Sequence, residues 1–187
     1  METIQNLGFS DRVAKWTRSF LTERRVTLTF NGITVADQDQ PVGTPQGSLV
    51  SPVLSALYTS PLLKIPIAAD GCTLRMYVDD GIIFAEGLSW EAVYEKLIAQ
   101  YQVCKNWLRQ NNLAIEPENS ELICFRTPSA HKTTEPPNRL YLPDSHNHTY
   151  YCVSPKATVQ YLGFFINQKL DWTHHVETMC NHARASL

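Results

Sequence analysis

The stretch LRMYVDDGIIFA, residues 74–85, constrains the fold more than any other, because two short β-prone runs there flank a pair of adjacent acids, Asp79 and Asp80. Apolar runs on both sides of a corner read as a hairpin, and Asp80-Gly81 is a dipeptide that accepts the positive φ angles of a type I′ turn. Two unit charges about 5 Å apart repel by roughly 3 kcal/mol at an effective dielectric near 20, but by under about 1 kcal/mol in open water. Met76, Tyr77, Val78, Ile82, Ile83 and Phe84 predict at least one covered face, so a divalent cation would relieve real repulsion. Oxygen ligands on a tight corner suit Mg²⁺, which takes one or two protein carboxylates and leaves its other positions to water and substrate phosphates. Taken alone, the pair proves little, and a plain turn is the stronger reading.

The loop PVGTPQGS, Pro41 to Ser48, has its own logic. Two glycines around a proline let backbone amides approach a ligand, and a helix starting at Ser51-Pro52 adds a dipole that favours anions. No lysine follows the second glycine, so this is not the phosphate loop of nucleoside triphosphatases. A structural turn is the competing reading here too.

Around these stretches the pattern is mixed α and β. Ser10 is placed to cap a helix with Val13, Trp16 and Phe20 on one face. The runs 26–30 and 33–35, joined by Asn31-Gly32, predict a second hairpin. Leu54, Leu57, Tyr58 and Leu62 form a helical stripe that Pro61 kinks or restarts. Ser89 caps the longest helix, with Trp90, Val93, Leu97, Tyr101, Cys104 and Leu108 as its stripe and Asn111-Asn112 as its stop. Residues 122–125 read as a strand, residues 126–155 as loop with one hairpin around 144–148, residues 161–166 as a strand, and residues 174–187 as a helix.

Composition fits a globular protein rather than a disordered one, with 43% hydrophobic and 18% charged residues. A formal charge of −2 argues against holding nucleic acid by bulk electrostatics, although Arg12, Lys15, Arg18, Arg24 and Arg25 cluster near the N-terminus. No window is apolar enough to span a membrane, and METIQNLGFS lacks the pattern of a secretory signal, so an intracellular location, nucleus or cytoplasm, is expected. Asn147-His148-Thr149 then never meets the glycosylation machinery. Five scattered cysteines without a C-x-x-C pair are expected to be reduced thiols.

The run GTPQGSLVSP at 43–52, an apolar helix, and then MYVDD at 76–80 together resemble motifs B and C of the reverse transcriptase domain of non-LTR (LINE-like) retrotransposons. LGFS at 7–10, Trp16 with Ser19-Phe20, Arg24 or Arg25, Trp107-Leu108 with Asn112-Leu113, and Tyr161-Leu162-Gly163 with Leu170-Asp171-Trp172 and His175 match in the same order. The resemblance implies an α+β fold: a partial polymerase palm, an antiparallel sheet backed by helices, with the start of a thumb-like region. Residues 1–125 would be the palm-like core, with the loop at 41–52, the carboxylate hairpin at 74–85 and the helix at 89–111. Residues 126–187 would be a loop-rich hairpin region and the palm-to-thumb connection.

The same resemblance implies RNA-directed DNA polymerase activity, nucleotidyl transfer by two-metal chemistry, with Asp79 and Asp80 holding Mg²⁺ or Mn²⁺. It places Gly43, Pro45, Gln46, Gly47, Ser48 and Tyr77 against template and incoming dNTP, and Tyr161, Leu162 and Gly163 against the primer. The implied partners are an RNA template, a DNA primer and dNTPs, with no membrane; the oligomeric state is open.

Two departures matter. The family carries a further metal-binding aspartate in a strand upstream of the helix after Ser10, and that strand and the fingers are expected to lie outside this chain; Asp11, Asp37 and Asp39 are poor substitutes. Asn119 stands where similar proteins carry a lysine, and an asparagine cannot act as a general acid toward pyrophosphate at neutral pH. The expectation is a fragment or decayed copy, weak or inactive alone. The rival readings are a non-catalytic nucleic-acid-binding module using the basic N-terminal face with Trp16, Tyr77 and Trp107, and a degenerate relic that does not fold. His174, His175, Cys180 and His182 read as a helix face rather than a zinc site.

Overall fold

The computed structural model describes residues 2–34, 38–125, 135–143 and 150–186. Asp37, the glycosylation-like triplet and the tip of the hairpin expected at 144–148 lie outside the described residues. The chain divides into two compact units, Met1–Lys64 and Ile65–Leu187.

The first unit packs three helices: α1 (Glu2–Asn6), α2 (Asp11–Leu21) and α3 (Ser51–Thr59), with a 3-10 turn at Ser60–Lys64. Its core is Ile4, Ala14 and Leu54, with Phe20, Leu21 and Val50 against them. The expected Val13, Trp16 and Phe20 stripe is not the buried face of α2: Ala14 and Thr17 are buried, while Val13 and Trp16 are exposed. Small residues let the short helices approach, and the exposed Trp16 ring stacks on Phe20, itself packed against the core, with ring centroids 5.3 Å apart. Strands β1 (Arg25–Val26) and β4 (Gln38–Asp39) pair around the nested hairpin of β2 (Thr29–Phe30) and β3 (Ile33–Thr34). Asn31 and Gly32 close that hairpin with φ of +49° and +75°, the sign pattern of the predicted type I′ turn.

In the second unit, β5 (Cys72–Tyr77) pairs with β6 (Asp80–Ala85), and α4 (Trp90–Gln110) follows, capped by Ser89, whose hydroxyl accepts from the Ala92 N–H at 3.2 Å. Strands β7 (Leu140–Pro143) and β8 (Tyr150–Val153) form the hairpin expected near 144–148. Strands β9 (Thr158–Tyr161) and β10 (Phe164–Asn167) form another, and α5 (Thr173–Ala185) ends the described chain. Tyr94, Tyr101, Leu122, Cys124, Leu140, Leu142 and Val153 make the core, with the stripe residues Trp90, Val93 and Leu97 packed on it. Gln100 lies inside α4 at 0% exposure. It is tolerated there because its Oε1 accepts from the Ala68 N–H at 2.7 Å and its Nε2 donates to the Cys104 sulfur.

Three expectations are corrected. The sheet is not single: the described strands form five separate two-stranded antiparallel ladders. Residues 122–125 make one parallel bridge, Leu122 to Pro155, instead of a strand, because Leu122 and Cys124 are buried as side chains without a neighbouring ladder. Residues 161–166 are not one strand but the corner of the β9–β10 hairpin, where Leu162 and Gly163 take φ of +50° and +82°.

Candidate functional site

The carboxylate corner is built by register. Tyr77 pairs with Asp80, so the loop is Val78-Asp79, and Gly81 sits in β6 opposite Met76. The expected Asp80-Gly81 turn is therefore displaced by two residues. Placing it there would set Leu74 opposite Gly87, whereas the observed register sets it opposite Ile83 and Cys72 opposite Ala85, which buries Cys72 and Leu74. Val78 then takes φ of +56° while Asp79 stays out of the positive region, the sign pattern of a type II′ turn whose first position normally belongs to glycine. A β-branched residue there is an outlier, of a kind that costs about 1–3 kcal/mol and concentrates at functional sites.

Because side chains alternate, Thr73, Arg75, Tyr77, Asp80, Ile82 and Phe84 share the outer face of this hairpin. Tyr77 is 60% exposed, and Asp79 and Asp80 are both exposed, which corrects the expectation of a half-sheltered pair. Repulsion between them is correspondingly screened by water. Neither carboxylate has a hydrogen-bond or ion-pair partner among the described residues. Hard oxygen donors, free of other engagements, match the ligand preference of Mg²⁺ or Mn²⁺. Two donors alone are fewer than an all-protein cage needs, and among the described residues no group of three His, Cys, Asp or Glu could complete one. Asp11 lies in the first turn of α2, and Asp39 pairs with Arg25 at 3.6 Å.

Behind the corner, a cavity of about 850 Å³ runs between β6, the start of α4, residues 119–125 and the β9–β10 hairpin. Asp80 and Tyr161 both line it, as do Asn119 and Glu121. Of the predicted catalytic and primer-side residues, Asp80 and Tyr161 reach this cavity, whereas Asp79, Leu162 and Gly163 are not among its lining. The wall is fixed by Glu121, which the sequence reading did not single out. Its carboxylate accepts from the Lys156 ammonium and, at 3.1 Å, from the Gln160 N–H, tying β9 to the preceding segment. Partial burial pushes the Glu121 carboxyl up, but the Lys156 hydrogen bond, the Gln160 N–H and the Lys156 charge outweigh it and hold it below the usual carboxylate range. Nothing in the spacing of an isolated glutamate announces a partner 35 residues on. Beyond β10, His175 Nδ1 accepts from the Phe165 N–H at 3.4 Å, and its ring packs on Phe164 and Trp172, so this histidine is an anchor for α5.

The glycine loop belongs to the first unit. Gly43 and Gly47 have φ of +78° and +81°, and no atom lies within 4 Å of a Cβ built on either, so backbone conformation alone demands glycine there. The helix starts at Ser51 as expected, and the Ser51 hydroxyl donates to the Pro45 carbonyl at 2.6 Å. Ser48 accepts from the Val50 N–H at 3.3 Å. Gln46 is exposed, and Pro45 and Ser48 are half-buried.

Residues 1–166 match the family described as "Reverse transcriptase (RNA-dependent DNA polymerase)". The chain is 22% identical over 171 residues to the "Probable RNA-directed DNA polymerase from transposon X-element" of Drosophila melanogaster, covering 91% of this chain and 18% of that protein. The chain thus spans under a fifth of the length of that relative. No solved structure matches.

Proposed function

The chain belongs to the reverse transcriptase (RNA-dependent DNA polymerase) family, and on that premise we propose that it is a segment of a non-LTR retrotransposon polymerase, carrying two of the metal-binding carboxylates of a palm. In this reading residues 1–125 form the palm-like core and residues 126–187 the palm-to-thumb connection. The observation that supports it best is the corner itself: two adjacent carboxylates without partners among the described residues, Asp79 in the two-residue loop and Asp80 at the start of β6, beside a strained Val78.

Each part has a role in nucleotidyl transfer. Asp79 and Asp80 would hold divalent ions, Mg²⁺ or Mn²⁺, which would supply Lewis-acid activation of a primer hydroxyl and charge neutralisation of the triphosphate and pyrophosphate. Tyr77 supports the primer side from the same outer face. Gly43, Pro45, Gln46, Gly47 and Ser48 position the template and incoming dNTP, and Tyr161, Leu162 and Gly163 hold the primer end. Catalysis of this kind is positioning and charge neutralisation rather than covalent work. The partners are an RNA template, a DNA primer and dNTPs, inside a cell. With two exposed carboxylates and Asn119 in place of a lysine, the chain alone is weak or inactive.

The test is extension of a primed RNA template with Mg²⁺ or Mn²⁺. Little or no dNTP incorporation is expected from the chain by itself, and robust extension that disappears in Asp79→Ala would overturn the claim of inactivity while securing the site.

One observation favours a second reading, a nucleic-acid-binding module without chemistry. Arg12, Lys15 and Arg18 of α2 have no partner among the described residues, and the stacked Trp16 and Phe20 lie on the adjoining face. Salt-dependent binding to a primer–template duplex that Asp79→Ala leaves unchanged would favour this reading.

A further inference from the structure

We propose that Arg24 is the positioning residue of the glycine loop and that it aims the Gly43 and Thr44 amides at a phosphate oxyanion, an assignment that rests on the polymerase reading above. The guanidinium makes three hydrogen bonds: Nε donates to the Leu21 carbonyl at 3.0 Å, and Nη2 donates to the Val42 and Gly43 carbonyls at 3.1 and 2.7 Å. Its planar fork thereby joins the last turn of α2 to the entrance of the loop, while Ser51 holds the exit through Pro45.

Orientation follows from peptide geometry. In a trans peptide the carbonyl and the next N–H point in opposite directions. Carbonyls of Val42 and Gly43 turned toward Arg24 therefore turn the N–H groups of Gly43 and Thr44 away from it. Neither amide has a hydrogen-bond acceptor among the described residues. Successive outward N–H groups form a concavity suited to an anion, and the positive φ of Gly43 allows it.

Neighbouring cations do not share this task. Arg25 pairs with Asp39, and Arg12, Lys15 and Arg18 make no contact of this kind among the described residues. A lysine at position 24 would keep the charge but not the fork, so it would retain only part of the restraint.

The experiment uses the whole chain, isotope-labelled, as wild type, Arg24→Lys and Arg24→Gln. Backbone order parameters near 0.85 are expected for Gly43 and Thr44 in the wild type, falling below about 0.6 in Arg24→Gln and to an intermediate value in Arg24→Lys, with the amides of α4 unchanged as a folding control. The probes are dATP with Mg²⁺ and a primer–template duplex without nucleotide. Each is titrated while the Gly43 and Thr44 amide shifts are followed, and binding is expected to weaken about tenfold in Arg24→Gln, with partial recovery in Arg24→Lys. Loss confined to dATP assigns the oxyanion to the triphosphate, and loss confined to the duplex assigns it to the nucleic-acid backbone; either supports the proposal. Unchanged order parameters and affinities in Arg24→Gln overturn it. Loosening of the loop in a chain that binds neither probe supports the clamp and overturns the polymerase reading.

Discussion

Replacing Thr17 by valine should stabilise the first unit. Thr17 is 1% exposed, and its Oγ1 is a buried polar atom without a hydrogen-bond partner among the described residues. An unsatisfied buried hydroxyl costs about 1–3 kcal/mol on the scale of protein mutations. Valine exchanges that hydroxyl for a methyl of similar size, keeps the β-branch and has nearly the same helix propensity, so little is lost in return. The expected gain is about 1–2 kcal/mol. For a unit of this size that corresponds to roughly 4–8 °C in Tm per kcal/mol, or about 1 M in urea midpoint per kcal/mol. Trp16 is the tryptophan of the first unit, so its fluorescence, in a chain with Trp90, Trp107 and Trp172 changed to phenylalanine, reports on it during urea unfolding. Thr17→Ser is the control: it keeps the hydroxyl and removes the methyl, and should lower stability by about 1 kcal/mol. A valine midpoint at or below that of the wild type would refute the reasoning, because it would mean the hydroxyl is satisfied in solution.

Asp79→Ala and Asp80→Ala should change stability by no more than about 0.5 kcal/mol, since neither group is buried or partnered; calorimetry showing a larger loss would make them structural. Gln100→Leu should destabilise the second unit by about 1–3 kcal/mol by orphaning the Ala68 N–H, read from denaturant midpoints. Glu121 is held below its ordinary pKa, so its stabilising contribution is complete above the unfolded value near 4.3 and disappears as pH falls through the lower folded value. Being partly exposed, it is worth under about 1 kcal/mol, and the acid-side fall in wild-type stability should flatten in Glu121→Gln across that window.

Elements whose instructions are local were legible in the sequence. Asn31-Gly32 carries its own turn conformation, Ser89 its own cap, and Pro61 its own interruption, and each appears where the residues put it. Choices decided by distant partners were not. The corner at Val78-Asp79 follows from matching Leu74 with Ile83, a comparison of whole ladders that a favourable Asp-Gly dipeptide conceals. The α2 helix has apolar residues on more faces than its neighbours can cover, so periodicity could not tell that Ala14 and Thr17 go inward. Of the candidate site, the positions of Asp79, Asp80 and the glycines were visible as residue types, whereas Arg24 and Glu121 act through carbonyls and an amide that no spacing rule reveals.

The two-stranded ladders bear on how the chain reaches this state. Four of the five join strands consecutive in sequence, with two-residue links in three of them, so their closure entropy is small and their partners meet early. Such topology has low contact order, and hairpins of this length form within about 1–10 μs. Docking of α4 closes a longer loop, because its Tyr94 reaches the Pro137 carbonyl 43 residues away and its Tyr101 joins Leu140 and Val153 in the core. Synthesis on the ribosome would yield the carboxylate hairpin well before the strands that complete its hydrophobic support have emerged.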